Sequence, residues 1–359
     1  MITNGTEKTI RRILPRNLTK VYYPRGCDWS YSHHASLGYF KNRLYAMWSN
    51  GMVNEDQPGQ RVLYATSEDG VHWTAPEVLF QPEPEEAVLT SAGFYDNGEK
   101  LIAYAGSYEY PDAHVFTLGH GSKNVTLLCK ETDDGEHWSE THDLKIPIVP
   151  NHGPQKTSTG RLIISGNMMF PYSDESDGVN GWKLTGIAPF PWEPLFDDSE
   201  GIGIRARYFG QRAVCEGSFF ETDDGVLHML LRTDGKTLAL SESCDNGETW
   251  SEIKETAFSD CGSKFHCGRL PDGRFYIIGN PDPAGIRCPL VISTSEDGVV
   301  FDREYVVDGR WSSARINGYG KGGIFGYPHS ILVEDTMYII CSENKEDVNV
   351  YRVALCDLI

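Results

Sequence analysis

The sequence predicts an all-β fold, a β-propeller built from six copies of a four-stranded unit, with seven copies as the alternative. Three observations predict it. A motif of the form polar-x-acid-x-Gly-x-x-aromatic occurs four times. Each copy sits at the same place inside a longer unit that reads as short strands separated by turns. Glycine (37 residues) and aromatic residues (11%) are plentiful, as many tight turns and many strands require.

The four motif copies are Thr66-Ser-Glu-Asp-Gly-Val-His-Trp73, Glu131-Thr-Asp-Asp-Gly-Glu-His-Trp138, Ser243-Cys-Asp-Asn-Gly-Glu-Thr-Trp250 and Thr294-Ser-Glu-Asp-Gly-Val-Val-Phe301. Each reads as a hairpin turn. The acid and the hydroxyl can bind backbone N–H groups, glycine supplies the positive φ, and the aromatic returns to the core. Their role is structural.

The first unit runs Ala35–Phe40, a turn at Lys41-Asn-Arg43, Leu44–Ser49, a loop, Arg61–Thr66, the motif, then Glu77–Phe80. Comparable units begin near Ser91, Gln155, Glu216, Phe265 and Pro328. Their first turns are Asp96-Asn-Gly98, Ser158-Thr-Gly160, Thr222-Asp-Asp-Gly225, Pro271-Asp-Gly273 and Val333-Glu-Asp335. The third unit lacks the motif and the sixth stops early. A strand near Ile10–Leu14 or Val21–Tyr23 is expected to complete the sixth sheet and close the ring. A seventh unit would fall in 182–212.

The chain has 359 residues, 40% of them hydrophobic, enough to bury a sizeable core. No Pro/Gly/Ser linker divides it, so one domain over 1–359 is expected. The net charge of −19 argues against general binding to nucleic acid or to an anionic membrane, both of which need basic surfaces. An anionic substrate would need a local basic cleft, which screening over ~10 Å permits. The N-terminus lacks the pattern of a signal peptide, and no run of ~18 apolar residues occurs. Nine cysteines, without a CxxC pair, read as reduced thiols of a cytoplasmic protein.

In a propeller the first strand of each blade lines the channel. Its N-terminal end opens on the same face as the loop after the second strand. The strand starts supply His33 and His34, His152 with Gln155, Glu216, Lys264 with His266, and Tyr327 with His329. The loops supply Glu55 and Asp56, Tyr110 and His114, Arg232, Asn280 with Arg287, and Lys345. Neighbouring side chains in a strand point oppositely, so one of His33 and His34 is expected to face the channel. No HxH or HExxH spacing supports a metal site. No cofactor is expected, and a structural Ca²⁺ in the channel is left open.

The repeated motif resembles the Asp-box of sialidase-like propellers, and the third copy matches it fully. The segment Glu216-Gly-Ser-Phe-Phe…Arg232 resembles the sialidase segment that carries the glutamate partner of the nucleophilic tyrosine and an arginine of the carboxylate clamp. The resemblance implies those roles for Glu216 and Arg232. It likewise implies a clamp arginine at Arg287, the tyrosine at Tyr327 within Gly326-Tyr-Pro-His-Ser-Ile-Leu332, and the acid at Asp56. Sialidases open their first blade with an arginine of the clamp; here that place reads His33-His34-Ala35-Ser36-Leu37. Two arginines with histidines suggest an acidic sugar other than sialic acid.

The His-His-Ala-Ser start, Met47-Trp-Ser-Asn-Gly51 and Asn344-Lys-Glu-Asp347 also resemble rhamnose–glucuronate lyases, a propeller group first described as α-L-rhamnosidases. This implies an exo-acting L-rhamnose–D-glucuronate lyase with an acidic oligosaccharide as its partner. In that reading His33, His34 and Tyr327 carry the proton transfers. Arg232, Arg287, His152, Gln155, Lys264, His266, Asn280 and His329 bind substrate. An exo-glycosidase of the sialidase or α-L-rhamnosidase type, with Tyr327, Glu216 and Asp56 as its catalytic groups, is the alternative. A non-catalytic glycan-binding propeller is the second.

Overall fold

The computed structural model describes residues 1–5, 9–110, 123–166, 168–188, 206–208 and 212–359. Among them the strands form six sheets. The inner strands of successive sheets are Tyr31–Phe40, Val88–Asp96, Gln155–Lys156, Arg212–Glu221, His266–Arg269 and Phe325–Val333, and in the fourth sheet Ala206–Tyr208 adds an edge to Arg212–Glu221. Each inner strand pairs antiparallel with the strand that follows it. The third sheet is reduced to three short strands among the described residues.

The N-terminal segment does two things. Leu18–Tyr22 pairs antiparallel with Asp347–Ala354 and completes the last sheet, as expected. Ile10–Ile13 instead adds a parallel edge to Arg303–Asp308 of the fifth sheet. Of the 182–212 stretch, 189–205 and 209–211 lie outside the described residues, as does His114.

The core is a ring of apolar interfaces between neighbouring sheets. Leu89 and Phe94 meet Met47 and Phe80; Ile164 meets Tyr104; Ile163 meets Trp250; Phe220 meets Phe275; Ile292 meets Ile339. The last sheet returns to the first through Ile340, Val348 and Val350 packed with Leu37 and Trp48. Burial of these faces against each other holds the fold together. Among the described residues the one helical element is a single 3₁₀ turn at Leu355–Asp357.

The motif turns form as the sequence implies, with one difference. Glycines 70, 135, 247 and 298 have φ of 70°, 82°, 87° and 72°. In the third copy Asp245 accepts the Thr249 amide, and Ser243 accepts that of Gly247. In the other copies the acid that binds the turn is the aspartate next to the glycine. Asp69 accepts Val71 and His72, Asp134 accepts Glu136 and His137, and Asp297 accepts Val299 and Val300. The glutamates at the expected position, Glu68 and Glu296, are 83% and 79% exposed. Aspartate's shorter side chain reaches the amides of its own turn.

Candidate active site

The candidate residues gather where the inner strands break register. The pairing slips between His33 and Ser36, between Cys215 and Gly217, and between Gly326 and His329. At these bulges His34, Glu216 and Tyr327 have φ of 52°, 36° and 56°, and the loop residues Asp56 and Arg287 have 53° and 56°. Non-glycine residues avoid this region, and bulges re-aim side chains beside functional sites. The bulge corrects the expectation that His33 and His34 point oppositely. Their rings lie 4.6 Å apart, and both pack on Tyr327, at 4.0 and 5.0 Å. His33 is fully buried and His34 is partly exposed.

Arg232 ties the centre together. Its Nη1 donates to a Glu216 carboxylate oxygen at 2.5 Å and to the Tyr327 hydroxyl at 2.6 Å. Burial opposes ionisation of Glu216, but the Arg232 charge and hydrogen bonds from Tyr327 and Arg232 outweigh it and hold the carboxyl at about 2. Three cations surround the Tyr327 ring: Arg287 and Lys264 each at 5.1 Å and Arg232 at 5.8 Å. Burial raises the phenol well above its ordinary range, against the pull of Arg232. Burial also drives the pKa of both His33 and His34 well down, helped by Lys345 and Lys264. Both imidazoles are therefore neutral at ordinary pH. Lys264, whose Nζ donates to the Asn151 carbonyl at 2.6 Å, is brought down to about 8 by burial, opposed by Glu216.

A second group stands beside the histidines. Lys345 Nζ donates to Glu55 at 2.6 Å, and the Tyr31 hydroxyl does so at 3.3 Å. Asp56 accepts the Tyr110 hydroxyl at 3.4 Å. Burial, with the neighbouring Glu55 charge, pushes Asp56 up to about 7. Ligand atoms of His33, His34 and Glu55 lie within 4.8 Å of one another. The charges of Lys345, Lys264 and Arg287 around them make this a poor place for a cation.

Four of the residues expected to bind substrate are placed elsewhere, and a fifth serves to hold a loop. His152, His266 and His329 form their own buried cluster, with ring centroids 4.4–5.4 Å apart. Their nitrogens lie within 4.8 Å of one another, which sequence spacing did not suggest. Hydrogen bonding decides what they offer. His152 Nε2 faces the Phe265 carbonyl at 3.0 Å and so carries its proton. The amide of Leu37 donates to His329 Nδ1, and that of Ser330 to His266 Nδ1, so the protons of those rings sit on Nε2. The cluster therefore presents one free lone pair, at His152 Nδ1, where a three-histidine metal centre needs three.

Gln155 is not part of the Tyr327 site either. It lines a cleft of about 550 Å³ with Ser158, Glu221, Gly225 and Arg269, at the opposite ends of the inner strands. Asn280 is committed to the backbone: its amide donates to the carbonyls of Arg287 and Pro289, both at 3.1 Å, and holds the Arg287 loop. Arg287 Nη1 is buried with no hydrogen-bond partner. Sequence reasoning missed Ser342 and Ser49, which contact His33 and His34. Both sit near the ends of second strands, a position that alone marks no chemistry.

Comparison with known proteins agrees with this architecture. A family model described as a BNR repeat-like domain matches residues 42–340. No curated protein matches the chain. Among solved structures, a sialidase is 19% identical with a TM-score of 0.66, over 97% of this chain and 35% of that one. The chain thus spans about a third of that sialidase. The intramolecular trans-sialidase from Ruminococcus gnavus is 15% identical with a TM-score of 0.66, over 95% and 98% of the two chains. A protein of unknown function from Dyadobacter fermentans is 13% identical with a TM-score of 0.68, over 94% and 98%. At such identities the likeness is one of fold, the sialidase-type β-propeller. The family match spans most of the sequence, and the chain belongs to the BNR repeat-like domain family.

Proposed function

We propose that the chain is a carbohydrate-active enzyme that cleaves a terminal sugar at a uronate, acting as an exo-acting L-rhamnose–D-glucuronate lyase. One observation carries this reading. Tyr327 sits against two neutral imidazoles and three cations, and by the sequence resemblance His33-His34 stands where a sialidase would carry its first clamp arginine. Relatives in fold that are named sialidase and trans-sialidase support a glycan as substrate.

The chemistry follows from the charges. A uronate C5–H is a very weak acid while its carboxylate is free. Pairing that carboxylate with Arg287 and its neighbours stabilises the enolate-like transition state. An imidazole takes the C5 proton, and the C5–H electron pair forms the C4–C5 double bond. The C4–O bond breaks, and its oxygen takes the Tyr327 phenol proton. Arg232 holds the resulting phenolate. The imidazolium and the phenolate stand side by side, their ring centroids 4.0–5.0 Å apart, and return of the proton from one to the other closes the cycle.

A product mass decides the matter. From a rhamnose–glucuronate disaccharide, elimination gives products whose masses sum to that of the substrate, one of them an unsaturated uronate. Products heavier by one water would overturn the lyase reading.

The exo-glycosidase reading has its own support. Glu216 is ionised and hydrogen-bonded by Tyr327, as a nucleophile pair requires, and Asp56 is held protonated up to about 7, as an acid requires. It predicts covalent trapping on Tyr327 by a fluorinated sugar analogue, which the lyase would not show.

A further inference from the structure

Two serines stand behind the histidine pair, and their surroundings differ. Ser342 Oγ lies 2.7 Å from His33 Nδ1 and 3.3 Å from the Gly326 carbonyl. A carbonyl only accepts, so the serine hydroxyl donates to it. The serine oxygen is then the acceptor for His33, whose proton must sit on Nδ1. That leaves a lone pair on His33 Nε2, which is buried and meets no hydrogen-bond partner.

Ser49 is arranged the other way round. Its oxygen accepts the amide N–H of Ser91 at 2.9 Å. The acceptor for its own proton is His34 Nδ1, at 3.3 Å. Leaving a buried hydroxyl proton unpaired is costly, so the serine donates and the His34 proton sits on Nε2. The ring that reaches the open side of the site is thus the one that offers an N–H.

We propose that Ser342 and Ser49 hold His33 and His34 in opposite tautomers, so that His34 offers Nε2–H to the substrate as a fixed hydrogen-bond donor while His33 keeps the lone pair that takes the proton. This rests on the uronate reading and divides its labour. His34 replaces a charged clamp donor by a neutral one. The C5 proton goes to His33 Nε2, and Tyr327, whose ring is 4.0 Å away, gives and later regains the phenol proton. Ser342 and Ser49 are positioning residues.

The first test uses no substrate. NMR of the full chain labelled with ¹⁵N-histidine reports the tautomer of each ring, with the two rings identified by their perturbation in Ser342→Ala and Ser49→Ala. The expected result is protonated Nδ1 on His33 and protonated Nε2 on His34; the same tautomer on both overturns the proposal. The second test is kinetic. His34→Gln keeps a side-chain N–H and should hold KM within about 5-fold, whereas His34→Ala should raise it roughly 10- to 100-fold with kcat little changed. If both variants abolish turnover alike, His34 is the base and the proposal falls. Should His34→Ala fail to fold, the NMR result alone decides. Opposite tautomers in a protein that cleaves no uronate would sink the functional reading and leave the tautomer assignment standing.

Discussion

The hydroxyl of Tyr327 accepts a hydrogen bond from Arg232 at 2.6 Å, across a gap of 95 residues in the chain. The same arginine binds Glu216, so the phenol, the carboxylate and the guanidinium form one unit. A phenol held this way can release its proton without creating an uncompensated charge.

Tyr327→Phe keeps the ring and its contacts with both histidines but removes the transferable proton. It should lower kcat by ~10²–10⁴ and leave binding of D-glucuronate nearly unchanged. Steady-state kinetics with calorimetric binding would separate the two. A variant with full turnover would remove Tyr327 from the reaction.

The two arginines should answer differently to removal. Arg287 Nη1 has no protein partner, so Arg287→Ala strands no buried charge. Its Tm should hold while KM rises roughly 10- to 100-fold. Arg232→Ala leaves Glu216, 13% exposed, without its counter-charge and should cost ~3–5 kcal/mol of stability. Denaturant unfolding of both variants would show the contrast; equal loss in the two would contradict it.

Much of this was legible in the sequence, and the limits have physical causes. The repeat located the inner strands, and with them Glu216, Arg232, Arg287 and Tyr327, because turn chemistry recurs at fixed spacing. Strand alternation misjudged His33 and His34, because it assumes regular pairing. His34 has φ of 52° in a bulge that nothing in Ser32-His-His-Ala35 announces. Gln155 was misplaced because its strand is two residues long, and such a strand carries no readable direction or depth. His152 lies in the bend before Gln155–Lys156, while His266 and His329 belong to the fifth and sixth sheets, so neither their meeting nor their protonation is written in any local pattern.

Two carboxyls should shape the pH dependence in opposite senses. The Asp56 pKa is raised from 3.8 to about 7, so its contribution to stability is present at low pH and is lost as pH rises through about 7. The Glu216 pKa is lowered from 4.5 to about 2, so its contribution is present above 4.5 and is lost as pH falls through about 2. Asp56→Asn cannot ionise and should gain stability over the parent between pH 4 and 7. Unfolding free energies of both proteins across that range would check it; a constant difference would mean that Asp56 titrates normally.

The motif turns also tie one sheet to the next, and a pair of glycine substitutions should isolate that contact. Gly135 has φ of 82°, and a Cβ there would stand 2.1 Å from the Tyr45 hydroxyl, which donates to the Gly135 carbonyl at 3.1 Å. Gly98 has φ of 93° in a turn where an added Cβ meets nothing within 4 Å. Gly98→Ala should therefore cost only the backbone term, ~1–2 kcal/mol. Gly135→Ala adds a steric clash and a broken bond between the first two sheets, so its cost should be at least about twice as large. Placing Gly135→Ala in a Tyr45→Phe background removes both the clashing oxygen and its hydrogen bond. The cost of the glycine substitution should then fall toward that of Gly98→Ala, and a double-mutant cycle measures the difference. Strict additivity would show that the turn and Tyr45 are energetically independent.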